Sequence, residues 1–480
     1  MKKNNKENNK EEKISTLNTI FVQMASYRDP QLIPTLVDMI NHAKHPELLR
    51  VVVCWQHAMD ETIEDFLDNG FEVDATLNRL GDSVHVLKKN GATVELIDIH
   101  YLKTKGACWA RNKIQQHYNN EKYTLQLDSH HRFVDNFDLL LIEQLESVRD
   151  ISPKPLLTTY VPSFNPMNDP AERVKEPWKM DFDRFIPEGT HFTRPSTIDD
   201  WKSRTKPMHA RFYSAHFAFA DGTFATEVQH DPNLFFHGEE VSIGVRAYTH
   251  GYDMYHPNIV ICWHEFTRAG RTKVWDDFTS QQKQKGKITE DWWEMNVKSH
   301  KRNRILFGMD GEDQSQIDFG KYGFGTVRTV KDFEEFSGVS FKYRGVQQCV
   351  LDRTEPQLSG YKHYDSEEEW KATITKSNDI RVCINKNDIT WHNPETDIDE
   401  PYPDLDFDFC YVGAHDENDK EIHRKDLSEQ ELFDYLSKGD WIDYRFIYFS
   451  EPDKTAKTYV MWPHSKSKGW LNRIVRYADS

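Results

Sequence analysis

The sequence predicts an α/β fold, a Rossmann-like and mostly parallel sheet with crossover helices, followed by a small β-rich C-terminal module. Three observations carry this. Short apolar runs at residues 19–25, 49–56, 93–99 and 123–128 alternate with stretches of helical spacing, the rhythm of parallel strands joined by crossover helices. Two of these runs end in dense polar groups, SYRDP at 26–30 and DSHH at 128–131, and ligands of parallel sheets sit beyond the carboxyl ends of the strands. After about residue 345 the pattern changes to short alternating runs separated by Asn, Asp, Pro and Lys, as in a small β-sandwich.

Taken in order, residues 1–17 are rich in Lys, Asn and Glu and read as a flexible lead-in without the apolar core of a secretory signal. The strand at 19–25 is followed by Leu32, Ile33, Leu36, Val37 and Ile40 at helical spacing. The strand at 49–56 leads into an acidic helix at 61–67, and 93–99 forms the next strand. Gly106 opens a helix over 106–118, and 123–128 is the fourth strand. A helix at 139–148 and a strand at 156–160 follow. Residues 161–208 lack clean periodicity and read as loops and short elements, the kind of insertion that walls or lids a site. ARFYSAHFAFADG at 210–222 alternates as a strand, 239–249 reads as a helix, and the strand at 258–263 ends at His264 as a neighbour in the sheet. Residues 267–299 read as helical and charged, and 322–341 as a glycine-rich turn with a short helix. The runs at 380–384, 408–412, 444–449 and 458–462 are the strands of the last module, so the expected division is 1–17, 18–345 and 346–480.

Composition narrows the function. With 38% hydrophobic and 29% charged residues in 480, the chain reads as globular with ample length for a core. A net charge of −17 argues against non-specific nucleic-acid binding, which needs a basic footprint. It leaves room for a small anion, because a metal and a few arginines override the global field locally. Six scattered cysteines without C-x-x-C spacing make neither a disulfide scaffold nor a structural zinc site. No run of about 18 apolar residues is present to span a bilayer, and a cytoplasmic location is the expectation.

The chemistry concentrates at strand ends. Asp128 and His130 leave a strand at i and i+2, so both can face one metal, and manganese accepts mixed oxygen and imidazole ligands. A divalent cation there would stabilise a departing diphosphate, an arrangement that resembles the sugar-nucleotide transferases of the GT-A type. The competing reading is a surface turn. His264 is the natural third ligand, and Arg268 could meet a phosphate oxygen or simply be solvated. Ser26, Tyr27 and Arg28 would face a nucleotide base and ribose, while Asp29 and Pro30 read as a helix cap. Arg111 sits near a helix start that suits an anion. Glu239 and Glu240 open another helix, where they either hold sugar hydroxyls or complement the helix dipole. Cys108 has no partners that would mark it as a nucleophile.

Together SYRDP, the ARN of 110–112, LQLDSHHRF, GEEVSIGVRAYTHGYDMYHP and WHEFTR resemble one family. It is the cytoplasmic GlcNAc transferases that modify hydroxyproline on a ubiquitin-ligase adaptor protein, with their bacterial and viral homologues, distant relatives of the polypeptide GalNAc transferases. The resemblance spans residues 18–342, including YGFGTVRT and FSGVSF. It implies a GT-A fold, UDP-GlcNAc as donor, manganese or another divalent cation, and retention of anomeric configuration. At matching positions it implies Asp128, His130 and His264 as metal ligands and Glu239 as a carboxylate on donor sugar or acceptor. The SYRD loop (Ser26, Tyr27, Arg28 and Asp29) and Arg111 match nucleotide-binding positions. His131 has no role in this scheme.

The module after residue 345 lies outside the resemblance and reads as an acceptor- or glycan-binding unit. Trp391, Trp441, Trp462 and Trp470 would suit sugar stacking, as they would core packing. A protein hydroxyl and a glycan hydroxyl both fit as acceptor. Two further readings stay open: a transferase using another UDP-sugar, and a non-catalytic sugar-binding protein on a degenerate transferase fold.

Overall fold

A computed structural model describes residues 18–268 and 270–478, and the expected lead-in at 1–17 lies outside the described residues. The chain divides into two compact units. The first takes residues up to 182, then 193–337 and 353–363, and the second takes 183–192, 338–352 and residues from 364 onward.

The first unit is α/β, as expected. Its early strands are β1 (Ile20–Tyr27), β2 (Leu49–His57), β3 (Glu72–Arg79), β4 (Asp82–Lys89), β5 (Ala92–His100) and β6 (Tyr123–Asp128). Then follow β7 (His131–Phe133), β8 (Pro155–Thr158), β9 (Trp178–Phe185) and β10 (His191–Thr197), whose residues 183–185 and 191–192 are assigned to the second unit, and β11 (Met208–His209). The last are β12 (Phe217–Asp221), β13 (Asp253–His256) and β14 (Cys262–His264). Between them run helices α1 (Leu32–His42), α2 (Ile63–Leu67), α3 (Ala107–Gln115), α4 (Phe137–Glu146), α5 (Phe224–Glu227) and α6 (Glu239–Thr249). Beyond β14 lie α7 (Val274–Asp277), α8 (Ser280–Gln284), α9 (Trp292–Phe307) and α10 (Val330–Ser337).

A ten-stranded sheet runs in the order β11-β13-β8-β12-β6-β1-β2-β5-β4-β3. Its heart, β6-β1-β2-β5, is parallel. These strands read as continuous apolar runs because both faces are covered. Along β1, Ile20, Val22 and Met24 enter one core with Leu36 and Met39 of α1 and Leu141 and Leu145 of α4. Phe21 points to the opposite core with Ala110 and Ile114 of α3.

Three features depart from the sequence reading. The hairpin β3–β4 extends one edge antiparallel, and β3 went unseen because most of its residues are solvent-exposed and show no apolar alternation. The run at 210–222 contributes only Phe217–Asp221 as a strand, inserted antiparallel between β6 and β8. The run at 258–263 is no neighbour in the main sheet: only β14 forms, and it pairs with β7 in a separate two-stranded ribbon. The loops expected over 161–208 contain the ribbon β9–β10.

The second unit is β-rich, as expected. One sheet holds the long antiparallel pair Ile374–Asn385 and Trp441–Ser450, and a six-stranded sheet is centred on Phe407–His415 and Thr458–Ser465. Val382 and Phe446 of the first share a core with Val412 and Met461 of the second. Trp441 and Trp470 are exposed, whereas the Trp462 indole donates to the Leu471 carbonyl at 2.8 Å and Trp391 packs on the core edge. Among the described residues no helix is long and apolar enough to cross a membrane.

Gly106, which opens α3, holds a left-handed φ of +100°, and a Cβ there would lie 2.4 Å from the Phe235 carbonyl oxygen. Gly106→Ala is therefore expected to lower stability by about 1–3 kcal/mol, read as a reduced urea midpoint.

Candidate functional site

The parallel register of β1 and β6 sets Ala25 opposite Asp128, so SYRD and DSHH share one rim. Asp128 ends β6. Its Oδ1 accepts from Arg111 Nη2 at 2.7 Å, and its Oδ2 lies 3.7 Å from His130 Nε2 and 3.5 Å from His264 Nε2. One ligand atom from each of Asp128, His130 and His264 lies within 4.8 Å of the others. His264 arrives on the β7–β14 ribbon, where it stands opposite His131.

The two histidines are prepared differently. His130 Nδ1 meets Asp29 Oδ2 at 2.7 Å, which leaves Nε2 turned toward Asp128. A carboxylate behind an imidazole is how metal-facing rings are oriented and made more basic. Burial raises the Asp29 carboxyl, but the bonds from His130 and Ser129 and the charge of Arg271 outweigh it and hold Asp29 below the usual range. His264 is buried, and neither ring nitrogen makes a hydrogen bond within the protein. Burial, then the neighbouring His130, keeps its pKa well below the ordinary value, so the ring is neutral with a lone pair to give. A carboxylate oxygen and two imidazoles suit a divalent cation, and buried unpartnered nitrogens are what such a group would satisfy.

Behind Asp128 lies a second layer. Arg111 is 4% exposed, and its other arm donates to Glu239 Oε1 at 2.5 Å. Cys108, one turn earlier on α3, donates its thiol to Glu239 Oε2 at 2.9 Å. His230 Nδ1 stands 3.6 Å from Glu239, and its Nε2 pairs with Gln126 Oε1 at 2.7 Å. Burial raises the Glu239 carboxyl, yet the Arg111 charge and His230 prevail and bring it down to about 2. Asp128 is likewise held well below the carboxylate range, burial being outweighed by His264 and Arg111. Glu240 goes the other way: burial, reinforced by the charge of Glu239, pushes it up to about 7. Glu240 accepts from the Ala215 amide at 2.9 Å and meets the Tyr160 hydroxyl at 3.2 Å.

The remaining residues singled out in the sequence are placed as follows. Tyr27 donates to Asp277 at 2.8 Å, and Arg28 donates to both oxygens of the same carboxylate at 3.0 and 2.9 Å. Ser26 is buried with its hydroxyl unpartnered. Arg268 is exposed, with its guanidinium over the Trp275 ring at 6.0 Å, apart from the Asp128 group. Arg271 comes in instead, 3.6 Å from Asp29 and 3.4 Å from Glu265. His131 is buried beside the group, its Nδ1 on the Asp128 carbonyl at 3.0 Å.

Of the residues that meet the site, His230, Arg271 and Asp277 escape sequence reasoning, and Asp29 has a second role there. Asp29, in SYRD, keeps the cap role expected of it and adds another. Its Oδ1 accepts from the Gln31 amide at 2.9 Å at the entry to α1, while its Oδ2 meets His130 Nδ1 at 2.7 Å, so one carboxylate does both. The other three lie outside any strand-end cluster and carried no signal.

A family model described as glycosyltransferase (GlcNAc) matches residues 19–343. No curated protein matches. Among solved structures, GalNAc-T7 with UDP, GalNAc and Mn2+ is 12% identical at a TM-score of 0.38, covering 67% of this chain and 55% of that one. TarS 1–349 of S. aureus in complex with UDP-GlcNAc is 11% identical at 0.32, covering 60% of this chain and 73% of that one. The mannosyltransferase PcManGT from Pyrobaculum calidifontis, with GDP-Man and Mn2+, is 11% identical at 0.34, covering 53% and 59%. The chain thus spans about half the GalNAc-T7 chain, and likenesses this distant imply nothing about the chemistry of this chain.

Glu239 gives the site a pH signature. Its pKa falls from 4.5 to about 2 on folding, so its ionised form stabilises the protein above pH 4.5 and that contribution is lost as pH drops through about 2. The full contribution is about 3 kcal/mol. Urea unfolding of wild type and Glu239→Gln should show the wild-type advantage shrinking across this window, and a constant difference would mean that Glu239 is not held as an anion.

Proposed function

The chain belongs to the glycosyltransferase (GlcNAc) family, and on that premise we propose that it is a metal-dependent retaining enzyme of the GT-A type. It moves GlcNAc from UDP-GlcNAc to a hydroxyl of a protein or glycan, as in the hydroxyproline-modifying GlcNAc transferases it resembles. The observation that carries this reading is the group of Asp128, His130 and His264 at the end of β6, with the nitrogens of His264 buried and unpartnered.

These three residues would hold a divalent cation, manganese by preference. Such a cation, when bound, supplies Lewis-acid stabilisation to a departing diphosphate. Asp29 keeps the His130 ring turned toward the site. Arg111 fixes Asp128 and Glu239 rather than meeting solvent. Glu239, an anion at neutral pH, accepts a hydrogen bond from a sugar hydroxyl and orients it without shuttling a proton. Tyr27 and Arg28 sit where a nucleotide would meet β1, and Asp277 holds them until it is exchanged for that ligand. Arg271, beside Asp29, is better placed than Arg268 to meet a phosphate oxygen. The second unit serves as an acceptor- or glycan-binding module, a role that its exposed Trp441 and Trp470 support.

A donor panel scored by UDP release tests the reading. UDP-GlcNAc with manganese is expected to give the highest turnover, a chelator to remove it, and Asp128→Ala to lower it by about 10²–10³-fold. Full turnover in Asp128→Ala would overturn the metal assignment, and preference for another UDP-sugar would overturn the donor. Absence of both hydrolysis and manganese-dependent UDP binding would favour a non-catalytic sugar-binding protein.

A further inference from the structure

A cleft of about 1010 Å³ lies in the first unit between the loop that leads into α3 and one face of α9. It is separate from the residues around Asp128. Its rim carries Lys103, Lys105, Lys287 and Lys301, all exposed, and none makes an ion pair among the described residues. The other basic residues of the lining are spent, Lys298 on Glu290 and Arg302 on Asp231. Four unneutralised lysines at one cleft, in a chain of net charge −17, create a local positive field against the sign of the whole. Its floor is apolar: half-buried Leu102, Met295 and Ile317 present their surface to it, backed by buried Leu234, Phe235, Phe278 and Ile305.

Basic rim and apolar floor together select the ligand. A phosphorylated or sulfated glycan would neutralise the lysines but leave the floor without a partner. A peptide with acidic and apolar side chains uses both. The volume also stands at the upper limit of ordinary small-molecule sites, which run to about 1,000 Å³. The cleft is tied to the site through the chain itself: the Phe235 carbonyl accepts from the Ala107 amide at 3.1 Å, where α3 begins. The residues that follow on those two segments are Arg111 and Glu239. We propose that this cleft docks an acidic, apolar-containing peptide segment of a protein acceptor, an inference that rests on the transferase reading and narrows its acceptor to a protein.

Fluorescence anisotropy with a short fluorescein-labelled peptide of Glu, Leu and Tyr tests it, beside the same peptide with Gln for Glu. The acidic peptide is expected to bind the full chain more tightly than the Gln peptide, and less so as salt rises. The double variants Lys103→Glu/Lys105→Glu and Lys287→Glu/Lys301→Glu should each weaken it by about tenfold, with UDP release from UDP-GlcNAc unchanged. Equal binding of the two peptides, or undiminished binding by both variants, would overturn the proposal. So would displacement of the peptide by saturating UDP and manganese, which would make the cleft part of the nucleotide site, or by a sulfated oligosaccharide at lower concentration than the unlabelled peptide. Loss of UDP release in the wild type would instead strike the transferase reading, while the peptide series would still report on the cleft.

Discussion

The guanidinium of Arg111 sits between two carboxylates, Asp128 at the end of β6 and Glu239 at the start of α6, and the order of the site depends on it. Buried Glu239 beside half-buried Asp128 would not stay ionised without a counter-charge, because burial and the neighbouring charge would raise it. Arg111 is itself too buried to be tolerated unpaired, so the three groups require one another. The fold supplies the geometry. Gly106 lets the chain enter α3 beside Phe235, and Cys108 and Arg111, on one face of that helix, both reach Glu239.

In front of this pair the rim holds opposite preparations of two imidazoles. His130 is tied from behind by Asp29, whereas His264 is packed in with no hydrogen bond at either nitrogen. An unpartnered buried nitrogen costs about 1–3 kcal/mol, which a fold bears where a ligand repays it. Our proposal of a divalent cation at Asp128, His130 and His264 takes its force from that cost. In the function we propose, the task of that cation would be to stabilise a leaving diphosphate.

The α/β class was legible because the parallel strands are buried on both faces and so appear as unbroken apolar runs. The rim was legible for a related reason: at Asp128 and Ser26 an apolar run stops and polar residues begin at once, which marks the strand end. Solvent-facing β3 left no such trace. His264 was found by residue type, but its route was not, because a ribbon of three residues per strand is too short to show a period. His230, Arg271 and Asp277 reach the site by tertiary packing that brings them to Gln126, Asp29 and Tyr27, all distant in the chain. From sequence Arg111 reads as an anion site, and folding fills its donors with two carboxylates, Glu239 and Asp128, that no local pattern links to it.

The most direct test of the central claim is a manganese titration followed by electron paramagnetic resonance, in the presence of UDP, on wild type, Asp29→Asn and His264→Ala. A cation held by Asp128, His130 and His264 requires a saturable site in the wild type, an affinity about 10–100-fold weaker in Asp29→Asn, and loss of the site in His264→Ala. Manganese affinity unchanged in His264→Ala would contradict it.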